Sequence, residues 1–415
     1  MRYRRPVSVV TTPEGGVMAD SMVEVEGLSK IFGPHPEQAF DALQAGKTKD
    51  QILEETGQVV AVQDVSFEVA KGEFFVVMGL SGSGKSTVVR LLNRLIEPTR
   101  GSVHIGGEDV LQLSKEGLRQ LRMRRISMVF QHFALFPHRT VGENAAYGLK
   151  VQGVDEDERR RRGNEALERV GLGGWFDNYP HELSGGMQQR VGLARGLAPD
   201  ADVMLMDEPF SALDPLIRRD MQDLLWQLQT EIKKTIVFIT HDLNEAMRLG
   251  DRIAVMRDGA VVQIGTGEEI IRDPATEYVA DFVADVDRSR VLTAESAMRE
   301  PRRTFGPDAS PRDVLTWLDQ SEANGVYVLD GDGTILGVAR DDRVAAAART
   351  GETSIKGALM DGYATATLDT ALQDLFGDSS RHSVPIAVVD GDRHLLGVVP
   401  RASLLATLSG DEETV

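Results

Sequence analysis

Three stretches of this chain hold residue types whose spacing could do chemistry on a phosphate. The first is Gly79-Leu80-Ser81-Gly82-Ser83-Gly84-Lys85-Ser86, with Thr87 following. Glycines at 79, 82 and 84 let the backbone curl so that successive N–H groups, together with a helix N-terminus beginning near Lys85, face an anion. Lys85 adds a full charge for β- and γ-phosphates, and the Ser86 hydroxyl is a hard oxygen ligand suited to Mg²⁺. The second is Asp207-Glu208, two carboxylates at the end of the apolar run Val203-Met204-Leu205-Met206. A carboxylate there holds Mg²⁺ through water, which suits Asp207. Its neighbour Glu208 is placed to orient and deprotonate an attacking water. Pro209 cannot extend the strand and fixes the turn after them. Between the two lies Leu183-Ser184-Gly185-Gly186-Met187-Gln188-Gln189-Arg190, whose Ser-Gly-Gly would open a helix and so make a second anion-binding edge.

These groups need a scaffold, and the chain alternates strand-like and helical stretches from Val23 to about Ala275. Phe74–Met78, Val203–Met206, Ile236–Ile239 and Ile253–Met256 are almost continuously apolar, as a parallel sheet covered on both faces requires. The strand before Asp207 is expected to lie beside the one that feeds the glycine loop. His241 ends the next strand; taken alone, it reads equally well as a structural histidine. A polar helical stretch, Pro36 to Thr56, interrupts the domain, giving an insertion at about 34–58. Residues 1–22 read as a loose tail, and 276–290, with three aspartates and two arginines, as a polar connector. After it, Val328-Leu329-Asp330-Gly331-Asp332 and Ile335-Leu336-Gly337-Val338 recur as Val388–Asp392 and Leu395–Val398, sixty residues on. Asp-Gly between apolar runs signals a hairpin. Each repeat is therefore a hairpin followed by a helix, with another helix upstream at Asp313–Leu315 or Asp374–Phe376.

The three motifs, in that order, resemble the ATPase subunit of ABC transporters. The resemblance implies ATP and Mg²⁺ as cofactors, held by Gly79, Ser81, Gly82, Ser83, Gly84, Lys85, Ser86 and Thr87. It implies that Gln131, in Met128-Val129-Phe130-Gln131, approaches Mg²⁺ and the attacking water, and that His241 contacts the γ-phosphate. Phe32 stands where the family stacks an aromatic on adenine; a buried core Phe is the rival reading. Ser184, Gly185, Gly186 and Gln188 would close on nucleotide held by the opposite subunit, and Asp214, in Ser211-Ala212-Leu213-Asp214, would communicate across that interface. One copy of each motif per chain then means that two complete sites need two nucleotide domains, most simply a homodimer. Gln131 to His138 would receive a membrane permease.

Two departures narrow the resemblance: the insertion, and the tandem repeat, which is similar to a pair of cystathionine-β-synthase (CBS) modules. Together they resemble the ATPase subunit of glycine betaine/proline importers. The expected fold is a P-loop α/β ATPase domain at 23–275, then an α+β CBS-like module at 291–410 and an acidic tail at 411–415. An extracytoplasmic solute-binding protein would be an indirect partner, and the location would be peripheral, on the cytoplasmic face of the cell membrane. An importer for another small solute such as an amino acid is the rival reading, and a soluble ABC ATPase outside transport a second. A binding-only role fails on Glu208. The CBS-like repeats depart from adenosine-binding relatives, carrying Arg340 and Arg343, then Pro400 and Ser403, where Ser/Thr and Asp are usual. The bulk numbers agree. A net charge of −18 repels phosphate backbones and argues against nucleic acid. With no cysteine, disulfides and thiolate metal sites are excluded. No apolar run approaches the roughly 18 residues that a membrane span needs.

Overall fold

Alternating side chains along the central strands explain the architecture of the first unit. In the computed structural model, which describes residues 21–131 and 134–409, the chain divides into two compact units at Asp285/Val286. The strands of the first unit are β1 (Ser21–Phe32), β2 (Val59–Ala70), β3 (Phe74–Met78), β4 (Arg100–Ile105), β5 (Glu108–Asp109), β6 (Ile126–Val129), β7 (Val203–Asp207), β8 (Thr235–Thr240), β9 (Arg252–Arg257) and β10 (Ala260–Gly265). They form an antiparallel sheet ordered β2-β1-β4-β5 and a larger one ordered β10-β9-β3-β8-β7-β6. The larger sheet is parallel from β9 to β6, with β10 antiparallel at its edge.

One face of β3, β7, β8 and β9 sends Phe75, Val77, Val203, Leu205, Val237, Ile239, Ala254 and Met256 into a core shared with Val25, Val62 and Val69 of the smaller sheet. The helix Lys85–Leu92 adds Val88 and Leu92 to that core. The other face buries Phe74, Val76, Met78 and Phe238 just as fully, with Phe238 against Phe74 and Phe210 at 5.6 and 5.7 Å. Burial on both faces is why these strands carry no polar alternation.

The strand order corrects one expectation. β7 does not neighbour β3, because β8 lies between them. Asp207 is reached instead by the helix after the loop, so the site needs no strand adjacency. The insertion folds as two helices, Pro36–Gln44 and Lys49–Thr56, anchored by Ala39, Phe40 and Ile52 on Ile31 and Val60. The expected polar connector is also corrected: Glu277–Val283 is a helix that buries Val279 and Val283, four residues apart, while Glu277 and Asp281 face outward. Of the expected tail at 1–22, Ser21 and Met22 already belong to β1, and the rest lies outside the described residues, as do 410–415.

In the second unit the repeat appears as expected. Helix Pro311–Ser321 precedes β11 (Gly325–Leu329), β12 (Ile335–Arg340) and helix Asp341–Thr350, and β13 (Leu359–Met360) completes that three-stranded sheet. β14 (Thr365–Ala366) opens the second copy, with helix Leu372–Arg381, β15 (Ile386–Val389), β16 (Leu395–Val399) and helix Arg401–Ser409. Each copy has its own core, and a third cluster including Tyr327, Val338, Ala387 and Val398 joins them.

Candidate active site

Backbone geometry builds the phosphate loop. β3 ends at Met78, and Gly79, Gly82 and Gly84 take φ of +151°, +80° and +102°, a region that L side chains rarely adopt. A Cβ at Gly79 would stand 2.2 Å from the Met256 carbonyl oxygen, and one at Gly84 2.4 Å from that of Ala61. Gly84 also caps the helix Lys85–Leu92 without a side-chain acceptor, which leaves first-turn N–H groups to an outside anion. Gly84→Ala is therefore expected to lower ADP affinity about tenfold or more, because the wall at Ala61 is backbone and cannot yield. Calorimetric titration of the full chain with ADP checks this.

Lys85 is 4% exposed, and its Nζ donates to the carbonyl oxygens of Gly79 at 2.7 Å and Leu80 at 3.0 Å. Burial pulls its pKa below the ordinary lysine value, and the Glu208 and Asp207 carboxylates push it back up. Ser86 Oγ donates to Asp207 Oδ1 at 2.7 Å. A hydroxyl and a carboxylate already within bonding distance form a hard-oxygen pair of the kind Mg²⁺ takes with phosphates and water. Among the described residues no group of three or more His, Cys, Asp or Glu gathers as a metal site, so protein ligands alone would not complete one. Arg90, one helical turn after Ser86, comes within 3.9 Å of Asp207 Oδ2. Sequence reading missed it, although the four-residue spacing from Ser86 placed it on the same helix face.

Glu208 follows β7 with φ +46°, a left-handed conformation at a non-glycine residue. Three bonds hold that turn: Glu208 N–H to the Ile239 carbonyl at 3.0 Å, and Ser211 N–H and Oγ to the Glu208 carbonyl at 3.3 and 3.0 Å. Buried Gln189 donates to the Pro209 carbonyl at 2.6 Å, a supporting contact that the sequence did not announce. His241 Nδ1 lies 2.9 Å from Glu208 Oε2. The structure thus brings the histidine onto the carboxylate that would activate water, and gives that carboxylate an orienting partner.

Ser81, Gly82, Gly84, Lys85, Ser86, Thr87 and Glu208 line one cleft of about 360 Å³. Phe32 lies beside it, paired in register with cleft-lining Val59, and its half-exposed ring sits under Lys30 Nζ at 5.0 Å. Gln131 is exposed and is not among the lining residues. Of the expected permease segment, His132 and Phe133 fall outside the described residues.

The serine-glycine motif is not part of this cleft. Ser184 caps the helix Gly185–Leu197 through the Met187 N–H, and Ser184 and Gly185 are exposed. Gly186 is close against Ile217, where a Cβ would meet Cγ2 at 2.6 Å. Gln188 Nε2 donates to the Pro180 and Leu183 carbonyls, holding the turn before the motif. Asp214 caps the helix Pro215–Ile232, accepting from the N–H groups of Leu216 and Ile217. These edges are open to an outside partner and do not serve their own chain's phosphate loop.

Comparison with known proteins agrees with this geometry. The ABC transporter family model matches residues 62–211. The chain is 50% identical over 393 residues to the glycine betaine transport ATP-binding protein OpuAA of Bacillus subtilis, covering 95% of this chain and 94% of that one. It is 49% identical to the glycine betaine/carnitine transport ATP-binding protein GbuA of Listeria monocytogenes, over 95% of this chain and 99% of the relative. To the glycine betaine/proline betaine transport system ATP-binding protein ProV of Escherichia coli it is 47% identical, over 93% and 97%. Among solved structures, the dimeric post-hydrolysis state of the ATP-binding cassette MJ0796 bound to ADP and Pi superposes with a TM-score of 0.50 at 32% identity, covering 59% of this chain and 99% of that one. A glycine loop closed by backbone, a carboxylate pair at a strand end and relatives matched along nearly their whole length lead to one conclusion: the chain belongs to the ABC transporter family, as an ATP-binding subunit.

Proposed function

We propose that this chain hydrolyses MgATP to drive import of a glycine betaine-class compatible solute through a membrane permease. The observation that carries the hydrolysis is Glu208, which lines one cleft with Lys85 and Ser86 and whose Oε2 lies 2.9 Å from His241 Nδ1. Ser86 and Asp207 would hold the magnesium ion, which supplies charge neutralisation at the β- and γ-phosphates. Lys85 binds the phosphates, and Glu208 takes the proton of the attacking water while His241 keeps the carboxylate oriented. Ser184, Gly185 and Gly186 face the nucleotide of a second copy, so the working unit is a homodimer. The dimeric arrangement of the solved cassette relative supports this reading.

The solute class rests on the names of the relatives, since no residue of this chain meets the solute in such a system. The permease docks near Gln131–His138, at the cytoplasmic face of the membrane, and the solute-binding protein acts through it. No helix among the described residues is long and apolar enough to cross a membrane. Reconstitution with the permease and binding protein, measuring ATP-driven uptake of glycine betaine against an amino acid, tests the solute class. Uptake of the amino acid alone would overturn it.

The second unit regulates. All hydrolysis groups lie before residue 285, while Val286 onward forms a separate duplicated module. Removing 286–415 is expected to leave ATP hydrolysis within about twofold while changing how uptake responds to internal salt. Identical salt-response curves with and without the module would leave it a structural role. With Arg343 and Ser403 at the places where an aspartate would accept ribose hydroxyls, the module is not expected to bind AMP tightly.

A further inference from the structure

The helical insertion is more than a surface ornament, because its second helix supplies part of the wall of the nucleotide cleft. Lys49, Asp50 and Leu53 line the same cleft as Gly82, Lys85 and Ser86. The position of this helix is fixed from three sides. Thr48 and Gln51 form a reciprocal capping box at its start, Gly57 ends it in the left-handed conformation, and Ile52 is fully buried between Ile31 and Val60. The box satisfies donors at the helix start, so what this wall offers is side chains and not a bare helix end.

Leu53 and Lys49 stand four residues apart, one turn along a single face. Leu53 and Val59 are each 47% exposed and both line the cleft, which gives it apolar surface beside the polar glycine loop. Lys49 lines the same cleft. Its ammonium sits over the Asp258–Gly259 turn, 3.4 Å from where a Gly259 Cβ would stand, and the Gly259 N–H bonds to the Ser83 carbonyl of the phosphate loop at 3.0 Å. Among the described residues this partly buried ammonium has no hydrogen bond or ion pair. The nearby Asp258 carboxylate is paired with Arg257 instead, at 3.4 Å. Burial pulls the Lys49 pKa down, against the pull of Asp258 and Asp50, as for a cation that waits for a counter-charge.

We propose that Lys49 is a nucleotide-binding residue that holds the phosphate nearest the sugar, with Leu53 supporting the base, so that the insertion forms one wall of the nucleotide cleft. The proposal rests on the nucleotide reading of that cleft. A charge-assisted contact of this kind sets the expected loss: Lys49→Glu should weaken ADP binding roughly tenfold in the full chain, and Lys49→Arg should restore most of it. Adenosine binding should be unchanged by either substitution, because adenosine has no phosphate for Lys49 to meet. Raising KCl should weaken ADP binding less in Lys49→Ala than in wild type, a readout that a purely structural role would not move.

Lys85→Ala, measured in parallel, separates the two readings. Loss of ADP affinity in Lys85→Ala with none in Lys49→Glu overturns the role of Lys49 alone. Unchanged affinity in both overturns the cleft as the nucleotide site. Equal loss of adenosine and ADP in Lys49→Glu, or a lowered unfolding midpoint of the nucleotide-free Lys49→Glu protein with no rescue by Lys49→Arg, would show that Lys49 acts through the fold and overturn the proposal.

Discussion

Glu208→Gln is expected to bind MgATP as tightly as the parent chain while hydrolysing it about 10²- to 10⁴-fold more slowly, the contribution typical of a positioned general base. Glutamine keeps the size of the side chain and can still meet His241 Nδ1, but it cannot accept the proton of water. The bonds that hold the turn are made by the backbone N–H and carbonyl of Glu208, so they survive the change. With hydrolysis blocked and binding intact, the variant should accumulate as an ATP-bound dimer, visible as a concentration-dependent shift in sedimentation. Turnover within about twofold of the parent would remove Glu208 from the base role. His241→Ala should do less, since it loosens the orientation of Glu208 without removing the acceptor.

The second large effect belongs to Ser184. Ser184→Arg should abolish hydrolysis and leave the affinity of a single chain for ATP nearly unchanged, although Ser184 takes no part in its own chain's cleft. The basis is placement. Ser184 and Gly185 are exposed at a helix start and take no part in the cleft formed by Gly82, Lys85 and Glu208. An arginine there puts a bulky cation where a partner's nucleotide must approach, and removes the cap on the Met187 N–H, a loss of about 1 kcal/mol to the helix. ATPase rate and ATP affinity would be measured on the same preparation. An equal fall in both would contradict a site shared between two copies.

Much of this was legible in the residues. The four core strands announced themselves through unbroken apolar runs, because burial on both faces leaves no polar position to confuse the pattern. The glycine loop, Ser86 and Asp207 were readable because a phosphate site needs those residue types at fixed spacing. The repeat was readable through the same turn twice. Strand order was not, since β8 slips between β3 and β7 by a crossover that no local pattern records. Glu277–Val283 was hidden because its two buried valines sit among acids that face outward. Arg90 and Gln189 were missed for a different reason: their partners, Asp207 and the Pro209 carbonyl, are distant in sequence, and only the fold brings them near. Lys49 belongs with them, since nothing in a polar insertion says which wall it will form.

The left-handed backbone at Glu208 sets a limit on how this protein can be improved. Such a conformation costs of order 1 kcal/mol or more in a residue with a Cβ, and here it falls on the residue placed to activate water. Glycine or asparagine would relax it. A selection for heat resistance alone would therefore find position 208 attractive, and each gain in melting temperature there would come from an enzyme that no longer turns over. Robust variants have to be sought elsewhere, in the buried faces of the sheets, because at this one position durability and work are drawn from the same bond rotation.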